Sequence, residues 1–198
     1  MKIVVDAVAK GRSALPATST AFETGHASLV VTETEQRPTV LGLVASGRMK
    51  VDAGSVTIDG RADAAGLRRR VALVDAPTVS EPEPNVSVTG VVAEELMFAG
   101  HAPTPFAAAR WLEGMGLEAI AGLPIGNVEP AARIRLLLEL AALRKDVEGL
   151  VLVAPDRHGG EPLAWWRIAQ EFAERGYAVL AVAGHASRTA IDAAEVAR

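Results

Sequence analysis

Short apolar runs bounded by Gly, Pro and polar residues mark the first part of the chain. Their length and β-branched side chains predict strands at 21–23, 27–31, 55–60 and 70–74. A turn at Gly25 separates the first two strands. The run TVLGLVAS at 39–46 is apolar on every side, so its pattern fits either a strand or a buried helix.

A Pro- and Glu-rich segment at 78–84 predicts a surface loop and a subdomain boundary. Beyond it the pattern predicts helices at 91–98, 105–115 and 131–143, then strand 149–153, helix 162–175, strand 178–183 and helix 188–196. Unbroken apolar strands that alternate with helices are typical of a parallel sheet covered on both faces. The sequence therefore predicts an α/β fold.

Composition narrows the class of protein. The 198 residues are 49% hydrophobic and 22% charged, which suits one compact domain. The absence of Cys excludes disulfides and thiolate chemistry and agrees with a reducing cytoplasm. A net charge of -4, with no basic run longer than 68–70, does not favour a nucleic-acid partner. An early charge at Lys2 and the lack of any run of ~18 apolar residues predict neither a secretory signal nor a membrane span.

Four segments, in their order along the chain, resemble the nucleotide-binding domain of ATP-binding cassette (ABC) transporters. They are residues 21–60 with glycines at 25, 47, 54 and 60, residues 68–77 with 85–96, residues 149–156, and residues 179–185. The resemblance extends from about Thr20 to His185 and implies a RecA-type, mostly parallel sheet core with an inserted helical subdomain. It divides the single domain 1–198 into a core of residues 1–77 and 136–198 and a helical subdomain of about 78–135.

The segment that corresponds to the phosphate loop lacks the residues that bind phosphate. A working loop reads G-x-x-x-x-G-K-[ST], because its glycines let backbone N–H groups converge on the phosphates and its Lys neutralises their charge. These positions hold Thr32, Glu33, Thr34, Glu35, Gln36, Arg37, Pro38 and Thr39. The two carboxylates oppose a polyanion. At the position of the Mg²⁺-binding hydroxyl, Thr39 is expected to serve as a helix-start residue.

The other motif positions have also lost the residues that bind or hydrolyse a nucleotide. Val153 and Ala154 replace the two Walker B carboxylates, and Asp156 lies about two residues too far along. The signature position, 128–135, keeps two arginines and loses its Ser and Gly residues, while Ala76 replaces the Q-loop glutamine. The sequence therefore predicts no catalytic residue, no metal ligand and no bound cofactor, and leaves weak binding of ATP with Mg²⁺ open.

Two further features have both an ordinary and a functional interpretation. His185, at the family's switch-histidine position, either caps the following helix or keeps contact with a nucleotide or partner. With Asp156 and His158 it could form a metal or acid–base site, although the composition there is that of a polar loop. Of Trp165 and Trp166, one is expected to face the sheet and the other to be less buried, as in a contact surface.

A retained framework with erased motif residues predicts a degenerate, non-hydrolysing ABC-type subunit that couples to a membrane permease or to an active ATPase partner. By the same resemblance, the acidic loop at 80–84 lies near the cleft that receives a membrane subunit. Two alternatives stay open: a soluble regulatory or interaction module on the cassette fold, and a weak nucleotide-binding subunit. The resemblance implies a cytoplasmic protein, peripheral at the inner face of the cell membrane when docked, and allows a homodimer.

Overall fold

The computed structural model describes residues 1–34 and 36–196. The strands are β1 Lys2–Lys10, β2 Leu15–Glu23, β3 Ala27–Val31, β4 Ala53–Ile58, β5 Val71–Val74, β6 Gly149–Val153 and β7 Ala178–Ala183. The α-helices are α1 Arg37–Ala45, α2 Ala64–Arg70, α3 Val88–Phe98, α4 Pro105–Gly114, α5 Pro130–Ala142, α6 Pro162–Glu174 and α7 His185–Val196. A 3₁₀ turn, Pro155–His158, follows β6.

A parallel sheet of order β3-β7-β6-β5 forms the centre of the molecule. Its inner strands β6 and β7 are wholly buried because both faces of the sheet are covered. Side chains alternate between the faces: in β6, Leu150 and Leu152 point to one side, Val151 and Val153 to the other. The first face packs against α5 and α6, and the second against α1 and an antiparallel sheet. The predicted α/β class is confirmed.

Helix α1 resolves the ambiguous run at 39–46. It is buried on nearly all sides between the two sheets, which explains why its sequence shows no amphipathic period. A Cβ atom on Gly42 would lie 2.6 Å from Val153 Cγ2 and 2.9 Å from Leu73 Cδ1. Only a residue without a side chain fits this close approach of helix and sheet.

The antiparallel sheet, of order β2-β1-β4, contains the main difference from the prediction. The sequence analysis did not predict β1 and assigned only 21–23 of β2. In β1 the alternation breaks at a register shift, where Ala7 has a left-handed backbone (φ 45°). The polar first half of β2 includes Pro16 and lies on the edge of this sheet, where a strand needs few apolar residues.

The other elements agree closely with the prediction. The observed β6 and β7 have the predicted bounds, and α3 to α7 agree within three residues at each end. The segment 78–84 contains neither helix nor strand. The predicted division between residues 135 and 136 falls inside α5, which packs on α3, α6 and the parallel sheet. None of the described helices is both long and apolar enough to cross a membrane.

Both adjacent tryptophans are buried, so neither ring provides the contact surface that was expected of the less buried one. Trp165 is 2% exposed and Trp166 is 6% exposed. Helix α7 covers the second ring, whose Nε1 donates a hydrogen bond of 3.2 Å to Glu195. The two rings pack edge to face with centroids 6.2 Å apart. They belong to the core that α6 and α7 share.

Candidate functional site

The carboxyl ends of β3, β7, β6 and β5 lie at one edge of the sheet, because the four strands are parallel. Ligand sites of open α/β sheets are found at this edge. The loops that meet there carry most of the motif positions singled out from the sequence. We call this region the carboxyl edge and define it as residues 32–34, 36–39, 75–76, 153–158 and 184–187.

The phosphate-loop segment begins directly after β3. The Thr32 N–H donates to the carbonyl oxygen of Ala183 (3.1 Å), and the buried Thr32 hydroxyl has no partner among the described residues. Thr34 has φ 84°, a conformation that a β-branched residue rarely adopts. Glu35 lies outside the described residues. Thr34 thus has a backbone conformation that glycine adopts most readily, in a segment that contains no glycine.

Helix α1 begins at the end of this segment. Gln36 is its N-cap residue, and the Gln36 side chain makes no capping hydrogen bond. Pro38, in the first turn, has no N–H to offer an anion. Thr39 lies in the first turn of α1 with its side chain buried. Arg37 Nε donates to the carbonyl oxygen of Ser13 (3.3 Å). The first turn of α1 therefore presents few donors to a ligand.

Two carboxylates bind the start of α7. Glu33 Oε1 accepts the N–H of His185 (2.7 Å), and Asp156 Oδ2 accepts the N–H of Gly184 (2.8 Å) and the hydroxyl of Ser187 (3.0 Å). A helix N-terminus favours negative charge and needs acceptors for its free N–H groups. The chain supplies these acceptors itself. One of them comes from the segment that would otherwise hold phosphate.

His185 is the first residue of α7, and its side chain is exposed. The cap of this helix is made by the carboxylates of Glu33 and Asp156. Asp156, His158 and His185 do not combine into one site, because the His158 ring bonds a different carboxylate, Asp75 (2.8 Å). In the ranges that the structure describes, no three His, Asp or Glu side chains are grouped to hold a metal.

A buried carboxylate that the sequence analysis missed gathers basic side chains at this edge. Asp75 follows β5, and its Oδ1 lies 2.8 Å from Arg133 Nη2 and 3.0 Å from Arg157 Nη2. Its Oδ2 lies 2.8 Å from His158 Nε2. These four residues form the Asp75 cluster. Arg133 belongs to α5 and the other two partners to the 3₁₀ turn after β6, so the cluster joins three elements.

The partners of Asp75 determine its ionisation. Burial alone would raise the pKa of this carboxyl, but hydrogen bonds from His158 and Arg133 and the charges of Arg157 and Arg133 lower the pKa below its ordinary value of 3.8. The carboxylate is therefore ionised at neutral pH. A sequence signal existed: an Asp directly after a fully apolar strand lies where α/β folds place polar site residues.

At the Walker B positions the structure has no carboxylate. Val153 is fully buried, and Ala154 has a left-handed backbone (φ 48°). The carbonyl oxygens of both accept hydrogen bonds from Arg157 Nη1, at 2.9 and 3.2 Å. Arg157 also donates to Glu81 in the segment after β5 (2.9 Å). The Arg157 guanidinium at the end of β6 therefore contacts four oxygen atoms, those of Val153, Ala154, Glu81 and Asp75.

The signature segment, 128–135, forms the start of α5. Glu129 caps this helix: its carboxylate accepts two backbone N–H groups of the first turn, at 3.0 and 2.9 Å. Arg133 is buried in the Asp75 cluster. Arg135 reaches the surface and pairs with Glu171 of α6 (2.6 Å). Both retained arginines therefore have carboxylate partners within the chain.

Beside the Q-loop position lies a small cleft between β5, α3 and α5. The buried Ala76 starts a tight turn, since its carbonyl oxygen accepts the N–H groups of the third, fourth and fifth residues after it. The cleft has a volume of about 170 Å³ and contains an ion pair between Glu95 and Arg144 (2.6 Å). Exposed Val79 lines it, and exposed Phe98 lies under the Arg144 guanidinium (5.7 Å). We call it the α3–α5 cleft.

No protein-family model matches the chain, and no curated protein matches it. Solved structures do match. A dimeric bacterial ABC transporter cassette shares 16% identity at a TM-score of 0.65, with 91% of this chain and 87% of that chain covered. The ATP-binding subunit of an ABC transporter shares 15% identity at a TM-score of 0.62, with coverages of 93% and 80%.

A third similar structure is CbiO1 from Clostridium perfringens, described as part of the ABC transporter complex CbiONQ. It shares 15% identity at a TM-score of 0.60, with 92% of this chain and 78% of that chain covered. The chain therefore has the fold of ABC transporter ATP-binding cassettes, which confirms the resemblance noted in the sequence. Identities of this size concern the fold alone, and the function has to be argued from the residues.

Proposed function

We propose that this chain is a cassette-fold subunit that does not hydrolyse ATP and that acts by docking on a membrane permease at its cytoplasmic face. The observation that carries the proposal is the carboxylate-filled start of α7. There Glu33, from the phosphate-loop segment, and Asp156 accept the backbone N–H groups of His185 and Gly184, so carboxylates of the chain itself cap this helix. The start of α7 therefore needs no bound anion to accept these hydrogen bonds.

The residues that ATP hydrolysis requires are replaced at their motif positions. Phosphoryl transfer needs a cation on the β- and γ-phosphates, a carboxylate for Mg²⁺ and a group that orients water. The corresponding positions hold Pro38, Val153 and Ala154. Glu33 and Asp156 add negative charge where a triphosphate would approach, and like charges repel strongly near a partly buried site.

The Asp75 cluster supports the same proposal. It ties α5 to the ends of β5 and β6 through buried, charge-assisted hydrogen bonds. The position of α5 is therefore fixed by side chains of the protein and does not depend on a bound nucleotide. Docking without nucleotide requires such a preformed surface, since ordering a surface on binding would cost affinity.

The proposed docking surface is the α3–α5 cleft and its rim. Val79, Met97 and Phe98 are each about half exposed, at 50%, 51% and 58%. The ion pair of Glu95 with Arg144 lines the cleft together with Val79, and the Arg144 guanidinium lies over the Phe98 ring. Exposed apolar side chains around a polar cleft are typical of protein interfaces, and they suit a short helix with one apolar face.

The first test is titration of the purified chain with ATP and Mg²⁺ by calorimetry, together with a thermal-shift scan. A ligand that binds only the folded state must raise the midpoint. We expect no saturable heat, no shift and no phosphate release at millimolar ATP. Saturable binding with a Kd below about 100 μM would refute the proposal. If His185→Ala then removed that binding, the chain would be a nucleotide-binding subunit.

The second test concerns docking. The tagged chain is mixed with membranes from its source organism, and the bound fraction is measured after sedimentation, with and without ATP. We expect binding that does not depend on ATP and that Phe98→Glu abolishes. Phe106→Glu is the matched control, because Phe106 is a similarly exposed ring that lies under Arg110, which does not line the cleft, whereas Phe98 lies under Arg144, which does. Equal loss in both variants, or no binding, would favour a soluble interaction module instead.

A further inference from the structure

A second cleft lies at the C-terminal end of α1, whereas the phosphate-loop segment lies at its N-terminal end. It is formed by the C-terminal end of α1, the turn 47–51, β4 and α2, and its volume is about 590 Å³. This size falls within the range of about 300–1,000 Å³ that is usual for sites of small molecules. We call it the α1–α2 cleft. Its lining includes none of the described residues at the phosphate-loop, Walker B, signature or Q-loop positions.

The floor of the α1–α2 cleft is apolar. It is lined by the side chains of Val44, Met49, Val51, Val56 and Leu67. Leu67 and Val44 belong to the core, while the other three are only partly buried. Apolar side chains from a helix, a turn, a strand and a second helix thus converge on one solvent-accessible hollow, as they do in binding sites for apolar ligands.

The rim of the cleft is positively charged. Arg48, Lys50 and Arg68 line it, and within the described residues no Asp or Glu side chain does so. The acidic residues next to lining residues along the chain, Asp52 and Asp63, do not line the cleft: Asp52 pairs with Lys10 (2.6 Å), and Asp63 caps α2 by accepting the N–H of Gly66 (2.8 Å). The cleft therefore carries three positive charges without a counter-ion among its described lining residues.

The two guanidiniums are held in place by neutral oxygen atoms. Arg48 Nη1 donates to the carbonyl oxygens of Ser46 (3.0 Å) and Val71 (2.9 Å), and Arg68 Nη1 donates to that of Gly47 (3.0 Å). Carbonyl oxygens orient a guanidinium without cancelling its charge. Burial, together with the positive charges of Arg144 and Arg68, lowers the pKa of Arg48. An added anion would relieve this repulsion.

We propose that the α1–α2 cleft binds a monomeric amphipathic anion, with an apolar chain on the floor and a carboxylate or phosphate head at Arg48, Lys50 and Arg68. Arg48 contributes mainly its charge, because its guanidinium donates to the carbonyl oxygens of Ser46, Val71 and Arg68. Arg68 and Lys50 supply the direct donors to the head. The apolar chain gives affinity through burial, and the head fixes its orientation. This proposal does not rest on the proposed docking function, although Arg48 lines both this cleft and the α3–α5 cleft.

Decanoate is the probe for the first experiment, and octanoate and 1-octanol are its comparisons. Binding is measured by calorimetry and located by ¹⁵N–¹H spectra, with shifts expected at Gly47, Lys50 and Ala64. We expect a Kd on the order of 0.1 mM for decanoate. Octanoate should bind about tenfold more weakly, because each buried methylene contributes about three- to fourfold. The neutral alcohol should bind more weakly than octanoate.

Two pairs of variants assign the binding to this cleft. Lys50→Ala should weaken decanoate binding about fivefold, whereas Lys145→Ala, an exposed lysine outside the cleft, should leave it unchanged. Ala62→Trp should fill the cleft and abolish binding. Ala65→Trp is the matched control, because Ala65 is exposed on α2 and does not line the cleft. The thermal midpoint of each variant shows that it is folded.

A parallel experiment separates a free amphiphile from a lipid headgroup in a bilayer. Sedimentation with phosphatidylglycerol vesicles, against phosphatidylcholine vesicles, should show no binding that depends on Lys50. The proposal is overturned if decanoate gives no saturable binding, if 1-octanol binds as well as octanoate, or if both variants of a pair behave alike. It is also overturned if anionic vesicles, and not decanoate, bind in a Lys50-dependent way.

Discussion

Replacing Asp75 by Asn tests whether the Asp75 cluster stabilises the fold as its geometry indicates. The substitution keeps the size of the side chain and removes its charge, which leaves Arg133 buried beside a neutral amide. The Asp75 side chain is 0% exposed and that of Arg133 is 5% exposed, so water cannot replace the lost partner. Removing one partner of a buried ion pair costs about 3–5 kcal/mol.

We expect the lower end of this range, about 3 kcal/mol, because the amide oxygen that D75N introduces still accepts one hydrogen bond. For a domain of this size that corresponds to a fall in Tm of roughly 6–12 °C. The assay is urea unfolding at neutral pH, followed by circular dichroism, with the slope m compared between variants. An unchanged m shows that the midpoint reports stability. Asp192→Asn, in an exposed pair with Arg188, is the control and should leave the midpoint unchanged.

The pH dependence gives a second, independent check. Because the pKa of Asp75 is lowered in the folded state, its contribution is complete above the ordinary value of 3.8 and is lost as the pH falls through the folded value. The difference between wild type and Asp75→Asn should therefore shrink below about pH 4. A loss of less than about 1 kcal/mol at neutral pH, or a difference that grows in acid, would refute the reasoning.

Three more predictions concern packing and capping, and urea unfolding checks each. Gly42→Ala should destabilise by about 2 kcal/mol, because its Cβ would meet Val153 and Leu73 below 3 Å, whereas Gly114→Ala, with open space around it, should not. Trp166→Ala should cost about 3 kcal/mol through the cavity it leaves, and a small effect would contradict its burial. Glu129→Ala should cost about 1 kcal/mol, because two N–H groups at the start of α5 lose their acceptor; an unchanged midpoint would count against this cap.

The parallel sheet could be predicted from the sequence because its strands are buried on both faces. GLVLV at 149–153 and AVLAVA at 178–183 are unbroken apolar runs with few other interpretations. The antiparallel sheet gave a weaker signal. The polar edge strand β2 and the register shift in β1 both interrupt the period on which such a prediction depends.

At the carboxyl edge, the sequence predicted which residues are present but not which residues they contact. Pattern matching located Glu33 and Arg133 at motif positions and Asp156 about two residues beyond one, but it did not say what they contact. Their partners lie 152, 58 and 28 residues away along the chain. Contacts over such separations arise from the order of strands in the sheet, and local sequence carries no record of them. Asp75 itself has a local signal, because it directly follows an apolar strand, but its partners Arg133, Arg157 and His158 could not be predicted for this reason.

The strand order has a consequence for how the chain folds during synthesis. β3 pairs in the parallel sheet with β7, which is made about 150 residues later. At about 5–20 residues per second, β3 leaves the ribosome roughly 10–30 s before its neighbour. During that time a β-branched strand has an unsatisfied edge, which invites pairing with other chains. The N-terminal half is therefore expected to need protection by chaperones until the last strand emerges, and truncation before residue 178 should give an aggregating product.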